Sequence, residues 1–345
     1  MSRLVVTSIG PASSVQDGGR PGSQRYGLVP SGAMDRLALA AANVLVGNPP
    51  FTAAIEIGPF GACLTARDGA VRVALSGAVR DADIAKRPVA FDTSVTLADG
   101  ESLTLGFARG GSFSYLAIEG GVQGEPMFGS LAVNARAGLG SPYPRPLQAG
   151  DEFAVDAASG APELRIELPK PLNGPIRVVL GPQDDEFDDA NKALFLDSEW
   201  KISATSDRMG YRLDGPAIKH LHGHNIVSDG TVNGSIQVPG NGAPIALMMD
   251  RGTSGGYPKI ATVITADVGR LAQTTAGTAF RFKAVSMAEA QDEARKFQQL
   301  IRTLPDRLRS SDTVELNIEA LSDANVAGYA VSAMDAGTWQ VTAEP

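Results

Sequence analysis

The sequence predicts a mainly β fold carrying a few packed helices, and three observations predict it. Short runs that alternate or are rich in β-branched residues recur along the chain, and most end at Gly, Pro, Asp or Asn. The 39 glycines and 22 prolines are spread over the 345 residues, which suits many turns better than disorder. Helical segments are few and lie between groups of strands instead of alternating with them, so a doubly wound sheet is not expected.

Taken in order, "RLVVTSI" opens as a strand and leads into a glycine-rich loop over residues 14–35. "AMDRLALAAANVLVG" (33–47) is rich in Ala and Leu and stops at Gly47, a good residue just past a helix end. Strands follow at "AIEIG", "GACLTAR" and "AVRVALSG". "SVTLADGESLTLGF" reads as one hairpin turned at Ala98-Asp99-Gly100-Glu101, and "SYLAIEGG" as a further strand. The stretch 156–175 holds four prolines and divides the chain into expected units 1–165 and 166–345. A Gly-Pro follows a strand in each half ("EIGPF", "VLGPQ"), which hints at two related barrels. The second half offers "IRVVLG", an acidic helix at 185–200, then "SIQVPG", "PIALMMD", "KIATVITAD" and "FRFKAV" as strands. A last helix opens with the Ser286/Glu289 capping-box spacing and ends before Pro305.

A net charge of −8 argues against nucleic acid or an anionic membrane as partner, since either favours a basic face. Cys63 is the one cysteine, so no internal disulfide is expected and a reducing, cytoplasmic setting fits. The apolar run after Arg3 is too short for a signal peptide or a membrane span.

Two loops could carry chemistry. In residues 14–35, Arg20 and Arg25 precede a helix start and make either an anion site or a solvated surface connection. "MMDRGTSGGYPKIATV" (248–263) is not a phosphate loop of the P-loop kind, because Pro258 precedes Lys259 and β-branched residues follow it. It reads as strand, loop, strand, with Asp250 and Lys259 meeting at the neck. There they form a plain ion pair, or an acid/base and an anion stabiliser beside a flexible backbone. Gln237 is expected on the opposite face from Ile236 and Val238. His220, His222 and His224 could share a strand face, but no carboxylate or cysteine stands at a suitable spacing and no metal is expected.

Several segments together resemble a known family. "SVQDGGRPGSQRYGLVPSGAMD", "ANVLVGNPPFTAAIEIGPFG", "VALSGA", "SDRMGYRLDGP" and "SIQVPGNGAPIALMMDRGTSGGYPKIATVITADVGRLAQ" are similar, in order, to the allophanate hydrolase subunit 2 family. That family is also called biotin-dependent carboxyltransferase, or the C subunit of 5-oxoprolinase, and the resemblance runs from Leu4 to about Phe282. It implies a pair of cyclophilin-like β-barrels and two leading activities. One is ATP-dependent opening of 5-oxoproline to glutamate, in a complex with two partners. These are subunit 1, which resembles the 5-oxoprolinase B subunit, and a lactam-utilisation A subunit. The other activity is carboxyl transfer to a urea-like amide, with biotin carried by a separate chain because no Met-Lys-Met-type run occurs here. A third reading is a non-catalytic regulatory subunit that acts through its partner.

On either catalytic reading the same groups are expected to serve. Asp250, Lys259 and Tyr257 are the expected catalytic residues. Arg208, Arg212, Arg20, Gln237 and the backbone at Gly255 and Gly256 are the expected substrate contacts. One departure stands out: Leu131-Ala132-Val133-Asn134 occupies a stretch where the family carries polar or aromatic residues. If that stretch borders the substrate, the substrate differs from the family's usual one.

Overall fold

The computed structural model describes residues 2–170 and 172–311. The part of the expected second unit beyond residue 311 lies outside the described residues. The protein is mainly β with four α-helices among those residues, and residues 2–310 pack as one compact unit.

Two sheets enclose the first core. One runs Glu152–Val155, Ser2–Ile9, Ala62–Arg67, Ser102–Leu105, Ala82–Ile84, Arg87–Pro88. The other runs Ser14–Gln16, Ala54–Ile57, Arg109–Ile118, Val71–Val79, Thr93–Leu97, Leu164–Ile166, Leu308–Ser310. Leu4 and Val6 from the first meet Ile55, Val73, Leu75 and Leu116 from the second, all wholly buried. Strand alternation then sends Phe113, Tyr115 and Ala117 to the other face, where they join a second core. Helix α1 (Arg36–Leu45) lies on that face, and every residue from Ala38 to Leu45 is buried. Its run of small and aliphatic side chains, which the sequence shows, is what lets it pack closely against the strands Val71–Val79 and Arg109–Ile118.

The second core is completed by an eight-stranded sheet in the order Ala279–Phe280, Trp200–Ile202, Gly210–Asp214, Ile245–Leu247, Ser235–Gln237, Lys259–Val263, Ile176–Leu180, Phe282–Ala284. The helices α2 (Asp189–Asp197), α3 (Thr265–Gln273) and α4 (Met287–Arg302) belong to this half. The Ser286–Glu289 capping box forms as expected. The chain returns at Leu308–Ser310 to pair with Leu164–Ile166. Among the described residues no helix is long and apolar enough to cross a membrane.

Three expectations need correction. The predicted hairpin at 94–107 keeps its turn, with Glu101 N donating to Ala98 O, but its arms part into different sheets. Thr93–Leu97 pairs with Val71–Val79, whereas Ser102–Leu105 pairs with Ala62–Arg67. The turn is a corner between packed sheets. The strand expected through Asp267 stops at Val263, and α3 begins at Thr265. Asp267 is fully buried there and binds Arg177 and Arg270, a tertiary demand that overrides the β-branched run. The acidic helix over 185–200 is shorter, because Asp188 caps a helix at Asp189–Asp197 and Trp200 already opens a strand.

Candidate functional site

A cleft of about 320 Å³ with mixed polar and apolar walls opens on the outer side of the eight-stranded sheet. Its floor is built by Arg212 and Gln237 with Ile245 and Leu247, and one wall is the loop from Gly252 to Tyr257. Five of the residues expected from the sequence therefore come together here: Arg212, Gln237, Gly255, Gly256 and Tyr257. A neighbouring hollow of about 410 Å³ shares Arg212, Ile245 and Tyr257 with it. Gly255 lets the loop approach Gln237 closely, since a Cβ there would stand 3.2 Å from Gln237 Oε1 and push that side chain aside.

The wall is braced from the first half of the chain. Gln24 Nε2 donates to Thr231 O at 2.7 Å and Thr253 O at 3.1 Å, and Arg251 Nη2 donates to Gln24 Oε1 at 3.0 Å. Thr231 Oγ1 donates to Gly252 O at 2.6 Å. This gives the long 14–35 loop a structural task next to the cleft.

Sequence reasoning missed Arg136 and Asp207, which line the cleft and pair at 3.1 Å. Arg136 stands two residues after the stretch that departs from the family pattern. Leu131 and Val133 of that stretch are core residues, and Asn134 Oδ1 accepts from Ala137 N to hold the turn that presents Arg136. The only forewarning was that departure.

Arg208 and Asp250 lie behind the cleft, not in it. Arg208 Nε and Nη2 donate to the two Asp250 oxygens at 2.9 and 3.2 Å, Nη1 donates to Glu56, and Nη2 also reaches Gly32 O at 2.8 Å. Glu56 is wholly buried and also accepts from Tyr115 OH at 2.6 Å and Met34 N at 2.8 Å. Burial pushes the Glu56 carboxyl above the usual glutamate range, against the Arg208 charge and these hydrogen bonds. Burial also works against the Arg208 charge, but Glu56 and Asp250 outweigh it and hold its pKa above the usual arginine value. The alternation of residues explains the split: Asp207 and Met209 face the cleft while Arg208 turns inward.

The expected neck pairing of Asp250 with Lys259 is replaced by two separate pairs. Lys259 is 1% exposed, and its Nζ lies 3.2 Å from Asp229 Oδ2. Asp229 Oδ2 also accepts from Gln183 Nε2 at 3.0 Å. The Gln183 amide, and after it the Lys259 ammonium, hold the Asp229 carboxyl below the usual range. The two ends of the 250–259 loop are thus claimed by partners far along the chain, which a local reading of the loop does not reveal.

Arg20 is fully buried, with Nε donating to Met127 O at 3.1 Å and Nη2 to Ala132 O, so it does not reach the cleft. Arg25 is exposed and stacks over Tyr26. The start of α1 is occupied by its own cap, with Asp35 Oδ1 accepting from Leu37 N and Ala38 N at 3.1 Å. His220 Nε2 bonds Val238 O at 2.8 Å, and its ring packs against Phe187 and His224.

Comparisons with known proteins agree with this architecture. The chain is 37% identical to the C subunit of 5-oxoprolinase from Escherichia coli (strain K12), over 86% of this chain and 97% of that protein. It is 36% identical to the C subunit of 5-oxoprolinase from Haemophilus influenzae, over 82% of this chain and 92% of that one. Among solved structures, the urea amidolyase of K. lactis superposes with a TM-score of 0.81 at 26% identity, over 89% of this chain and 21% of that much longer one. The profile of the carboxyltransferase domain, subdomain A and B, matches residues 26–284. The chain belongs to that carboxyltransferase-domain family.

Proposed function

We propose that the protein is the C-type member of an ATP-dependent 5-oxoprolinase, active with a B-like partner and a lactam-utilisation A-type partner. The cleft's donor set carries this reading. 5-Oxoproline is a small five-membered lactam bearing a carboxylate, and the cleft sets two arginines and a primary amide around a space of about 320 Å³. Arg212 and Arg136 take the carboxylate, and Gln237 hydrogen-bonds the lactam. The backbone at Gly255 and Gly256 and the Tyr257 hydroxyl, which line the same cleft, are assigned to hold the polarised carbonyl oxygen. Asp250 is bound by Arg208 behind the cleft, so the acid/base role passes to Asp207, the carboxylate inside the cleft. The near-full-length similarity to two proteins named as the C subunit of 5-oxoprolinase supports the same reading. ATP is assigned to the assembled complex, because Lys259 follows Pro258 and opens a strand, which is not P-loop architecture.

Carboxyl transfer is the second reading, favoured by the likeness to the K. lactis urea amidolyase. In that case biotin arrives on another chain, and the same cleft binds a urea-like amide.

Arg212→Ala in the co-expressed complex tests the assignment. The expected result is a KM for 5-oxoproline raised by about tenfold or more, roughly 1.4 kcal/mol of lost binding, with kcat less affected. Asp207→Asn is expected to lower kcat by about 100-fold with KM nearly unchanged. Wild-type kinetics in both variants would move the reaction elsewhere.

A further inference from the structure

The hollow of about 410 Å³ beside the cleft shares Arg212 and Tyr257 with it and adds an acid of its own, Asp214. Arg212 and Asp214 are the outward-facing residues at the end of the strand Gly210–Asp214, whose Tyr211 and Leu213 turn into the core. Alternation puts the two on one face, with Cα atoms roughly 7 Å apart. Both are exposed, and neither side chain has a hydrogen-bond or ion-pair partner among the described residues. They do not pair with each other either. Nearby opposite charges do pair, Arg136 with Asp207 and Arg208 with Asp250.

The hollow therefore presents an unspent guanidinium and an unspent carboxylate side by side. An α-amino acid carries the complementary pair, a carboxylate and an ammonium on one carbon. Pro239 and Pro244 give the hollow apolar walls against which methylene groups pack. Asn241 lines it too: its Oδ1 accepts from Ala243 N at 3.1 Å, and its Nδ2, without a partner among the described residues, is a donor for a side-chain carboxylate.

Opening of a lactam makes such a molecule. Net of the ATP that drives the step, water's oxygen goes to the carbonyl carbon and both its hydrogens to the nitrogen as the C–N bond breaks. The neutral N–H becomes an ammonium and the carbonyl a second carboxylate. 5-Oxoproline offers Asp214 no cation, whereas glutamate does. Arg212 lines both spaces, so it keeps its hold on the α-carboxylate as the molecule passes from one to the other.

We propose that this hollow is a subsite for an α-amino acid, with Arg212 on its carboxylate and Asp214 on its ammonium, and that it receives the glutamate formed in the adjoining cleft. The choice of glutamate rests on the 5-oxoprolinase reading, whereas the amino-acid site does not.

The test titrates glutamate, glutarate and alanine into the full chain by calorimetry, without ATP or turnover. Glutarate keeps both carboxylates and lacks the ammonium. Wild type is expected to bind glutamate at least about tenfold more tightly than glutarate, and Asp214→Asn to erase that difference while leaving the affinity for 5-oxoproline unchanged. Equal binding of glutamate and glutarate by wild type would overturn the proposal, as would full glutamate affinity in Asp214→Asn. Alanine bound as tightly as glutamate, with the same dependence on Asp214, would uphold the amino-acid site and count against the 5-oxoprolinase reading.

Discussion

At the scale of single residues, the Glu56–Arg208–Asp250 cluster is where a substitution is felt most. Arg208→Met leaves two carboxylates facing each other in a buried site, and the expected loss of stability is about 3–5 kcal/mol in chemical denaturation. The same cluster carries a pH signature. The folded chain holds the Glu56 proton more tightly than the unfolded chain does, so this residue's contribution is fully present below the usual glutamate value of 4.5 and is lost as pH rises through the raised value. Glu56→Gln, which keeps an acceptor for Tyr115 and Met34, is expected to flatten that fall in denaturation midpoints measured across the window. An unchanged pH profile would mean that Glu56 does not titrate differently on folding. None of this was readable in the chain: Glu56 sits in "AIEIG", an alternating run that marks it only as a strand residue. Its partners Tyr115 and Arg208 lie 59 and 152 positions away.

At the scale of elements, α1 shows how local signals and distant contacts share the work. Asp35 caps the helix through one oxygen, and its other oxygen accepts from Gln273 Nε2 of α3 at 3.0 Å. Gln273 Oε1 in turn accepts from Ser112 N and Phe113 N of the strand Arg109–Ile118. Asp35→Ala is therefore expected to cost about 1–2 kcal/mol, the upper range for a cap. A value near zero would mean that the cap and the Gln273 contact are replaced by water. α1 and α4 were legible because caps and periodicity are local. α3 was not, since its start has no side-chain cap and its buried Asp267 is satisfied by Arg177, 90 residues earlier. The split of the expected hairpin at Ala98–Glu101 has the same cause: the turn is local, but each arm's sheet is chosen by strands far from it.

At the scale of the whole molecule, the first half supplies one closed core, and α1 with the strand Arg109–Ile118 then joins it to the second. That continuity lets residues far apart in the sequence shape one cleft. Arg212, Gln237, Gly255, Gly256 and Tyr257 were legible there because the motif that names them also folds as one sheet and its loop. Arg136 and the bracing by Gln24 were not, since both cross between halves of the chain. On the proposed function, this cleft serves 5-oxoproline in an assembled, ATP-driven complex. The most direct measurement is glutamate formation from 5-oxoproline by the chain co-expressed with its A- and B-like partners, with and without ATP, in wild type and Arg212→Ala. ATP-dependent glutamate that is strongly reduced at low substrate by Arg212→Ala is the predicted result. No turnover with ATP, and activity restored by bicarbonate, a biotin carrier and a urea-like amide, would contradict it and make the protein a carboxyltransferase.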